Sequence, residues 1–298
     1  MLNDVAIINS PADEAGENDI WAVGEIYIAD TSQNGYTLYN AVHWDGNTWK
    51  PKRISVVYNG NLITPPLYGI YSFSSTDIWL SAGIPIHGDG ENWVQYHLFD
   101  MGILGQDDGH LTKIWGGSSN DIYFVGTRGT IAHYQNGQWS RIESGTTTII
   151  QDIWGSADLI LCAVSNVASP GDRKILKINN NQVADFLWDT GRRVQSIWFK
   201  NINAIYTCGG GVFSLKDDSG WHEINDIPLY YSESIRGEDY NDIWVVGDFG
   251  LLAHFNGFSW KVFDEPSADI YYSCAVKGNI IVTVGTKGGK AIISYGSY

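Results

Sequence analysis

Basic residues are scarce in this sequence: 18 Lys plus Arg stand against 33 Asp plus Glu, a formal net charge of −15 at pH 7. Binding to nucleic acid or to an anionic membrane depends largely on cationic contacts, so neither is expected as a partner. Cysteine is equally sparse. Cys162, Cys208 and Cys274 have no CxxC spacing and each sits inside an apolar run, which reads as buried free thiols rather than a disulfide framework. No stretch approaches the roughly eighteen apolar residues of a spanning helix, so no membrane insertion is expected. The opening MLNDVAIINSPADE lacks the basic region and cleavage pattern of a signal peptide. Proline (8) and methionine (2) are few, and no helical period persists over about ten residues, so helices have little support. P-loop, GxSxG and HExxH motifs are all missing.

What is abundant points the other way. Among 298 residues, 44% hydrophobic and 13% aromatic, there are 13 tryptophans and 34 glycines, a composition of many short strands joined by tight turns around a sizeable core. The chain enters an apolar strand almost at once, which suggests a domain cut from a longer precursor.

The strongest signal is repetition. NDIWAVG (18–24) returns as TDIWLSAG (76–83), NDIYFVG (120–126) and NDIWVVG (241–247), each inside a four-piece unit best seen as LTKIWG, SSNDIYFVG, TRGTIAHYQNG and QWSRI. Seven copies fit approximately 4–54, 67–98, 111–142, 151–188, 194–224, 232–263 and 271–298. Anchoring them at Asp19, Asp77, Asp121, Asp158, Ala204, Asp242 and Ile280 gives spacings of 58, 44, 37, 46, 38 and 38 residues. That period, about 40–50 residues, is that of a propeller blade. In DIWVV both alternating faces are apolar, as expected of a strand covered on both sides. The expected fold is therefore all-β, a single seven-bladed β-propeller over residues 1–298 with four antiparallel strands per blade. Only three strands can be counted in the last blade. It is left three-stranded, or residues upstream of Met1 supply the fourth.

The third-to-fourth turns WDGNTW, GDGENW, YQNGQW and FNGFSW combine Asx and Gly hairpin chemistry with a tryptophan at the next strand start. These hairpins resemble Asp-box or BNR-type hairpins. The IWG, NDIWVVG and HWDG phrases resemble bacterial repeat proteins, mostly secreted or at the cell surface, and the resemblance spans essentially the whole chain. It implies an extracellular or cell-surface setting, with the protein a monomer or one domain of a larger surface protein.

Repeated residues are read as structural. His43, His133 and His254 share one repeat position, filled by Lys177, Ser214 and Ser294 in other copies. Seven-fold geometry would put them in different blades, so they are not expected to share a metal. The Asp of each NDIW is expected to shape its turn by an Asx-type bond. Tyr71, Trp115, Trp154 and Trp198 share a first-strand position, held elsewhere by Asn9, Arg236 and Ala275; they are expected to pack in the core, though a ring of aromatics near the axis could also stack on sugars. No cofactor is expected. GDGEN and LGQDDGH offer oxygen ligands for calcium, but not at EF-hand spacing.

Function is expected where the repeats disagree. The long connections VVYNGNLITPP (56–66), DMGILGQDDGH (100–110), EIYIADTSQNG (25–35) and SNVASPGDR (165–173) would all fall on one face, with PADEAGEN (11–18) on the other. The candidate ligand-binding residues are Ile26–Tyr27, Tyr58, His110, Arg128, Arg193, Tyr231, Phe249, Tyr271 and Lys287. The reading is a non-catalytic module that binds a glycan or protein partner through this face. Two alternatives stand beside it: a carbohydrate-active enzyme using Asp107 and Asp108, and a structural spacer.

Overall fold

The structure, a computed structural model, describes residues 1–8, 19–31, 35–156, 159–167, 170–216, 219–263 and 267–298. PADEAGEN (11–18), Asn9 and Asp158 lie outside the described residues. Blade 1 is β1 (Leu2–Ile8), β2 (Asp19–Ala29), β3 (Tyr36–Asp45) and β4 (Trp49–Lys52), followed by a hairpin of β5 (Val56–Tyr58) and β6 (Asn61–Ile63). Blade 2 is β7 (Gly69–Ser74), β8 (Asp77–Ser81), β9 (Pro85–Gly88) and β10 (Trp93–Gln95); blade 3 is β11 (Leu111–Ser118), β12 (Asp121–Gly126), β13 (Ile131–Gln135) and β14 (Gln138–Ile142). Blade 4 is β15 (Ile150–Ser156), β16 (Leu159–Val164), β17 (Lys174–Asn179) and β18 (Gln182–Phe186); blade 5 is β19 (Val194–Asn201), β20 (Ala204–Gly209), β21 (Gly211–Leu215) and β22 (His222–Glu223). Blade 6 is β23 (Ser232–Asp239), β24 (Asp242–Gly247), β25 (Leu252–Phe255) and β26 (Trp260–Phe263); blade 7 is β27 (Asp269–Lys277), β28 (Ile280–Lys287) and β29 (Lys290–Ser297). Each sheet runs in chain order, antiparallel throughout, and the last blade has three strands. The fold is a seven-bladed β-propeller. Across the seam, the Ser273 hydroxyl donates to Asp4 Oδ1 at 2.6 Å, tying the last blade to the first.

The hydrophobic core is divided into seven packets, one at each blade interface. This arrangement explains the doubly apolar second strand. In β24, Ile243 and Val245 are fully buried in the packet toward blade 5, while Trp244 and Val246 are buried toward blade 7. Burying a tryptophan removes about 150–250 Å² from water, on the order of 4–6 kcal/mol before entropy is counted. The glycine closing the second strand of blades 1, 3 and 6 (Gly24, Gly126 and Gly247) also has a cause. A Cβ on Gly126 would lie 1.9 Å from the His110 carbonyl oxygen, and one on Gly247 would lie 2.2 Å from that of Tyr231. The incoming first strand leaves no room for a side chain there.

The histidines are structural, and the aspartates serve them. Nε2 of His43, His87, His133 and His254 lies 2.7, 2.8, 2.6 and 2.9 Å from Oδ1 of Asp19, Asp77, Asp121 and Asp242. Each imidazole stacks on the aromatic ring beside it, Trp21, Trp79, Tyr123 or Trp244, at 4.0 to 4.4 Å. The Asx-turn expectation is thus corrected: these carboxylates accept from imidazoles across the ladder. Pairing also corrects two repeat equivalences. The histidine slot of blade 7 is Tyr295 (opposite Val282), not Ser294, and the aromatic first-strand slot of blade 1 is Ala6 (opposite Trp21), not Asn9. Trp115 and Trp198 are buried as expected, whereas Tyr71 and Trp154 are only half-buried and line a cavity of about 400 Å³ with residues of the other inner strands. All three cysteines are free and buried.

Candidate functional site

Two of the four long connections are hairpins. In VVYNGNLI, Asn59 and Gly60 take positive φ of 47° and 74°, the backbone a two-residue Asn-Gly turn requires, and Val56, Val57 and Tyr58 pair with Ile63, Leu62 and Asn61. In EIYIADTSQNG, β2 and β3 extend past the blade, pairing Ile26 to Ala29 with Tyr39 to Tyr36. Residues 165–173 are described only in part.

The β5–β6 hairpin is held at two levels. At its base, fully buried Asn40 accepts from the Ile54 N–H at 2.8 Å and donates to the carbonyls of Ile54 and Pro65 at 2.7 and 2.8 Å. Higher up, the Gln95 amide accepts from the Val57 N–H and donates to the Val57 carbonyl, as a neighbouring strand would. The facing loop, 97–110, is anchored by Leu98 and Leu104, both buried in the packet between blades 2 and 3. Between hairpin and loop lies a cavity of about 870 Å³. Val56, Tyr58, Ile63, Ile84 and Phe99 give it apolar walls, while Gln95, His97, Asp100 and His110 supply polar groups. Its surroundings expose Val57, Leu62 and Met101, Leu62 to 72%. Apolar exposure concentrated beside a cavity is a pattern typical of surfaces that bind partners.

The structure brings Tyr58 and His110 together on this cavity. Arg128 stands next to it: held at φ 56°, it donates from Nη1 to the Gln106 carbonyl at 3.2 Å. The other candidates are dispersed. Ile26 packs into the core between blades 7 and 1, and Tyr27 lies exposed, edge-on to Tyr36. Arg193 stacks over the Tyr231 ring at 4.3 Å, and Phe249, at φ 59°, packs 5.2 Å from Tyr230. Lys287 pairs with Asp269 at 3.1 Å. Tyr271 turns inward, with its hydroxyl 3.1 Å from that of Ser294 and its ring in the packet between blades 6 and 7. Gln95, His97 and Phe99 escaped the sequence reading, because WVQYHLF reads only as a strand and its exit.

Asp107 and Asp108 do not form a facing pair. Asp107 is exposed; Asp108 is buried, accepts from Arg141 Nε at 2.8 and 3.0 Å, and accepts from the Gly105 N–H at 2.8 Å. In GDGEN, Asp89 accepts from the backbone N–H groups of Glu91 and Asn92 and from the Asn92 amide, which holds its carboxyl down at about 2. Among the described residues, no three His, Cys, Asp or Glu side chains gather as a metal site, and no helix is long and apolar enough to cross a membrane.

Two further charged groupings lie along the inner strands. In six blades the first strand carries a bulge near its start, skipping Asn3, Thr112, Gln151, Gln195, Glu233 and Tyr272. Burial and the nearby charge of Asp248 push the Glu233 carboxyl up to about 7, opposed by Arg193, Lys113 and the Gln195 amide, which donates to it at 3.0 Å. Deeper, Arg236 grips Asp152 with two bonds of 2.9 Å. Burial works to raise the Asp152 carboxyl, but the Arg236 charge prevails and holds it low.

No known family profile matches the chain, and no curated protein matches it in sequence. Solved structures resemble it in fold. YCF48 bound to a D1 peptide superposes with a TM-score of 0.69 at 16% identity, covering 96% of this chain and 91% of that one. YCF48 from Cyanidioschyzon merolae gives 0.66 at 14%, covering 98% and 94%. The WD40 β-propeller domain of Doa1 gives 0.67 at 14%, covering 99% and 92%. At such identities the likeness is one of fold, and it agrees with the seven blades traced above.

Proposed function

We propose that this propeller is a non-catalytic binding module that takes an extended segment of a partner protein into the cavity between the β5–β6 hairpin and the 97–110 loop. The observation that carries the reading is the cavity itself. About 870 Å³, walled by Tyr58, Phe99, Ile63 and Ile84, it has the form of a ligand site: mostly apolar, with a few convergent polar groups. That Asp108 is already committed to Arg141 weighs against the hydrolytic alternative. The peptide bound to YCF48 in its solved structure supports peptide recognition as something this fold can do. A glycan is the other ligand suggested by the sequence, and an extracellular or cell-surface setting rests on the repeat resemblance alone.

The test is a parallel selection on the whole chain, with displayed random peptides on one arm and a glycan array on the other. The reading expects a family of peptides sharing an apolar or aromatic side chain, which compete with one another and lose affinity when Tyr58 and Phe99 are changed to serine. Sugar binding with no peptide family recovered would reject it.

A further inference from the structure

The cavity of about 400 Å³ among the inner strands has no part in the proposed peptide site. It is lined from Asp4 and Lys113, near the starts of those strands, to Glu238 and Lys277 at their ends, so it lies toward the face opposite the long connections. Its volume falls within the range of small-ligand sites, about 300–1,000 Å³.

The sequence shows why the space exists. By pairing, the residue that follows the first-strand aromatic slot is Gly116, Gly155 and Gly237 in blades 3, 4 and 6. Trp115 and Trp198 each lie against the glycine of the next blade: a Cβ on Gly155 would come within 2.4 Å of Trp115, and one on Gly237 within 3.0 Å of Trp198. Both indoles are buried there. Blade 5 carries Phe199 in that place, so Trp154 has no glycine to lie on; it donates from Nε1 to the Phe199 carbonyl at 2.8 Å and is left half-buried at the cavity wall. Blades 7 and 1 have only Ala275 and Ala6 in the slot itself. Two alanines in place of aromatics, and one displaced tryptophan, open the cavity.

Its charges balance among the described residues. Asp4 pairs with Lys113 at 3.3 Å, Arg236 pairs with Asp152 at 2.9 Å, and Glu238 and Lys277 at the rim are of opposite sign. Hydrogen-bonding capacity remains on both sides. Among the described residues, Lys113 has no hydrogen-bond or ion-pair partner but Asp4, the Ser72 hydroxyl bonds no protein group, and Glu238 accepts only the Gly278 N–H, at 2.6 Å through Oε2. A charged ligand would be desolvated there without a net counter-charge, and a purely apolar one would strand these donors and acceptors. What fits is a neutral ring with hydroxyls along its edge and an apolar face to lay against the exposed parts of Trp154 and Tyr71.

We infer that this cavity is a second ligand site, which takes a single neutral sugar residue from the face opposite the peptide site. The sugar hydroxyls accept from Lys113 and donate to Glu238, while the C–H face of the ring covers Trp154 and Tyr71. The site does not rest on peptide binding at the other cavity.

The probes are the methyl glycosides of glucose, galactose and mannose, titrated into the whole chain by saturation-transfer NMR beside the uronate and amino-sugar counterparts of each. At least one neutral glycoside is expected to bind below about 10 mM, with its charged counterparts about tenfold weaker. Ala275→Trp places in the slot the residue that blades 3, 4 and 5 carry there; with Ile7 rather than glycine on the next blade, the indole must stand in the cavity, and binding is expected to fall at least about tenfold. Ala6→Phe fills the cavity from blade 1 and serves where Ala275→Trp does not fold. No binding of any neutral glycoside at about 10 mM, a charged counterpart binding as tightly as its parent, or native affinity in a folded, filled variant would overturn the proposal. Failure of the peptide selection leaves these results unchanged, so the two readings fail separately.

Discussion

The side-chain amide of Gln95 treats Val57 as a strand neighbour would, accepting its N–H at 2.8 Å and donating to its carbonyl at 3.0 Å. One residue of blade 2 thereby fixes a hairpin that follows blade 1, and sets one wall of the cavity. Replacing Gln95 with Leu is expected to cost about 1–2 kcal/mol for two lost bonds, and to speed amide exchange in residues 56–63 while the blades keep their protection. If exchange in the hairpin is unchanged, the clamp does not hold it.

The His–Asp pairs are not equal in surroundings. The His133 side chain is 1% exposed and that of His87 35%. Asp121→Ala strands a buried imidazole and is expected to cost about 1–3 kcal/mol, whereas Asp77→Ala lets water replace the carboxylate and costs less. Urea titration of both variants decides this; an equal or reversed ranking would count against burial as the governing factor.

The Arg236–Asp152 pair links blades 6 and 4 across 84 residues of sequence. Arg236→Met leaves a carboxylate buried without its partner and is expected to cost about 3–5 kcal/mol, while Arg236→Met with Asp152→Leu recovers much of the loss. Denaturation of the three variants tests it, and a double variant no more stable than the single one would contradict the coupling.

Much of the scaffold was legible, because blades 1, 3 and 6 repeat the same three devices, an Asx-Gly turn, a doubly apolar strand and a closing glycine forced by backbone approach, and the other blades keep some of them. His87 escaped notice because IPIHG lacks the aromatic that follows the other histidines. The inner-strand bulges and the Arg236–Asp152 contact depend on register and on proximity across the ring, which no local pattern encodes. The β5–β6 hairpin is different. VVYNGNLI carries an Asn-Gly pair between apolar runs, the strongest short-range hairpin signal, and was readable. Tyr58 and His110 stand out in the sequence because they sit in unusually long connections, and they line one cavity, while Arg193, Tyr231, Phe249 and Lys287 do not line it.

Glu233 makes stability depend on pH. Its carboxyl titrates at 4.5 when unperturbed and is pushed up to about 7 in the fold. Between these values the folded chain binds the proton more tightly, so this group's contribution declines as pH rises from about 4.5 to 7 and stays low above that. The loss is expected to be on the order of 2 kcal/mol after allowing for partial exposure. Glu233→Gln is expected to gain stability relative to the native chain at pH 8 but not at pH 5. A difference independent of pH would exclude this assignment.

The proposed place of ligand entry lies between the hairpin and the 97–110 loop. Its most direct test is calorimetric titration of a selected peptide into the native chain, a Tyr58→Ser, Phe99→Ser variant, and a Lys287→Glu variant on blade 7. Binding to the first variant is expected to be at least about tenfold weaker, with its melting temperature nearly unchanged, and affinity for the second to lie within about twofold of native. Equal affinity for the native chain and the Tyr58→Ser, Phe99→Ser variant would contradict it.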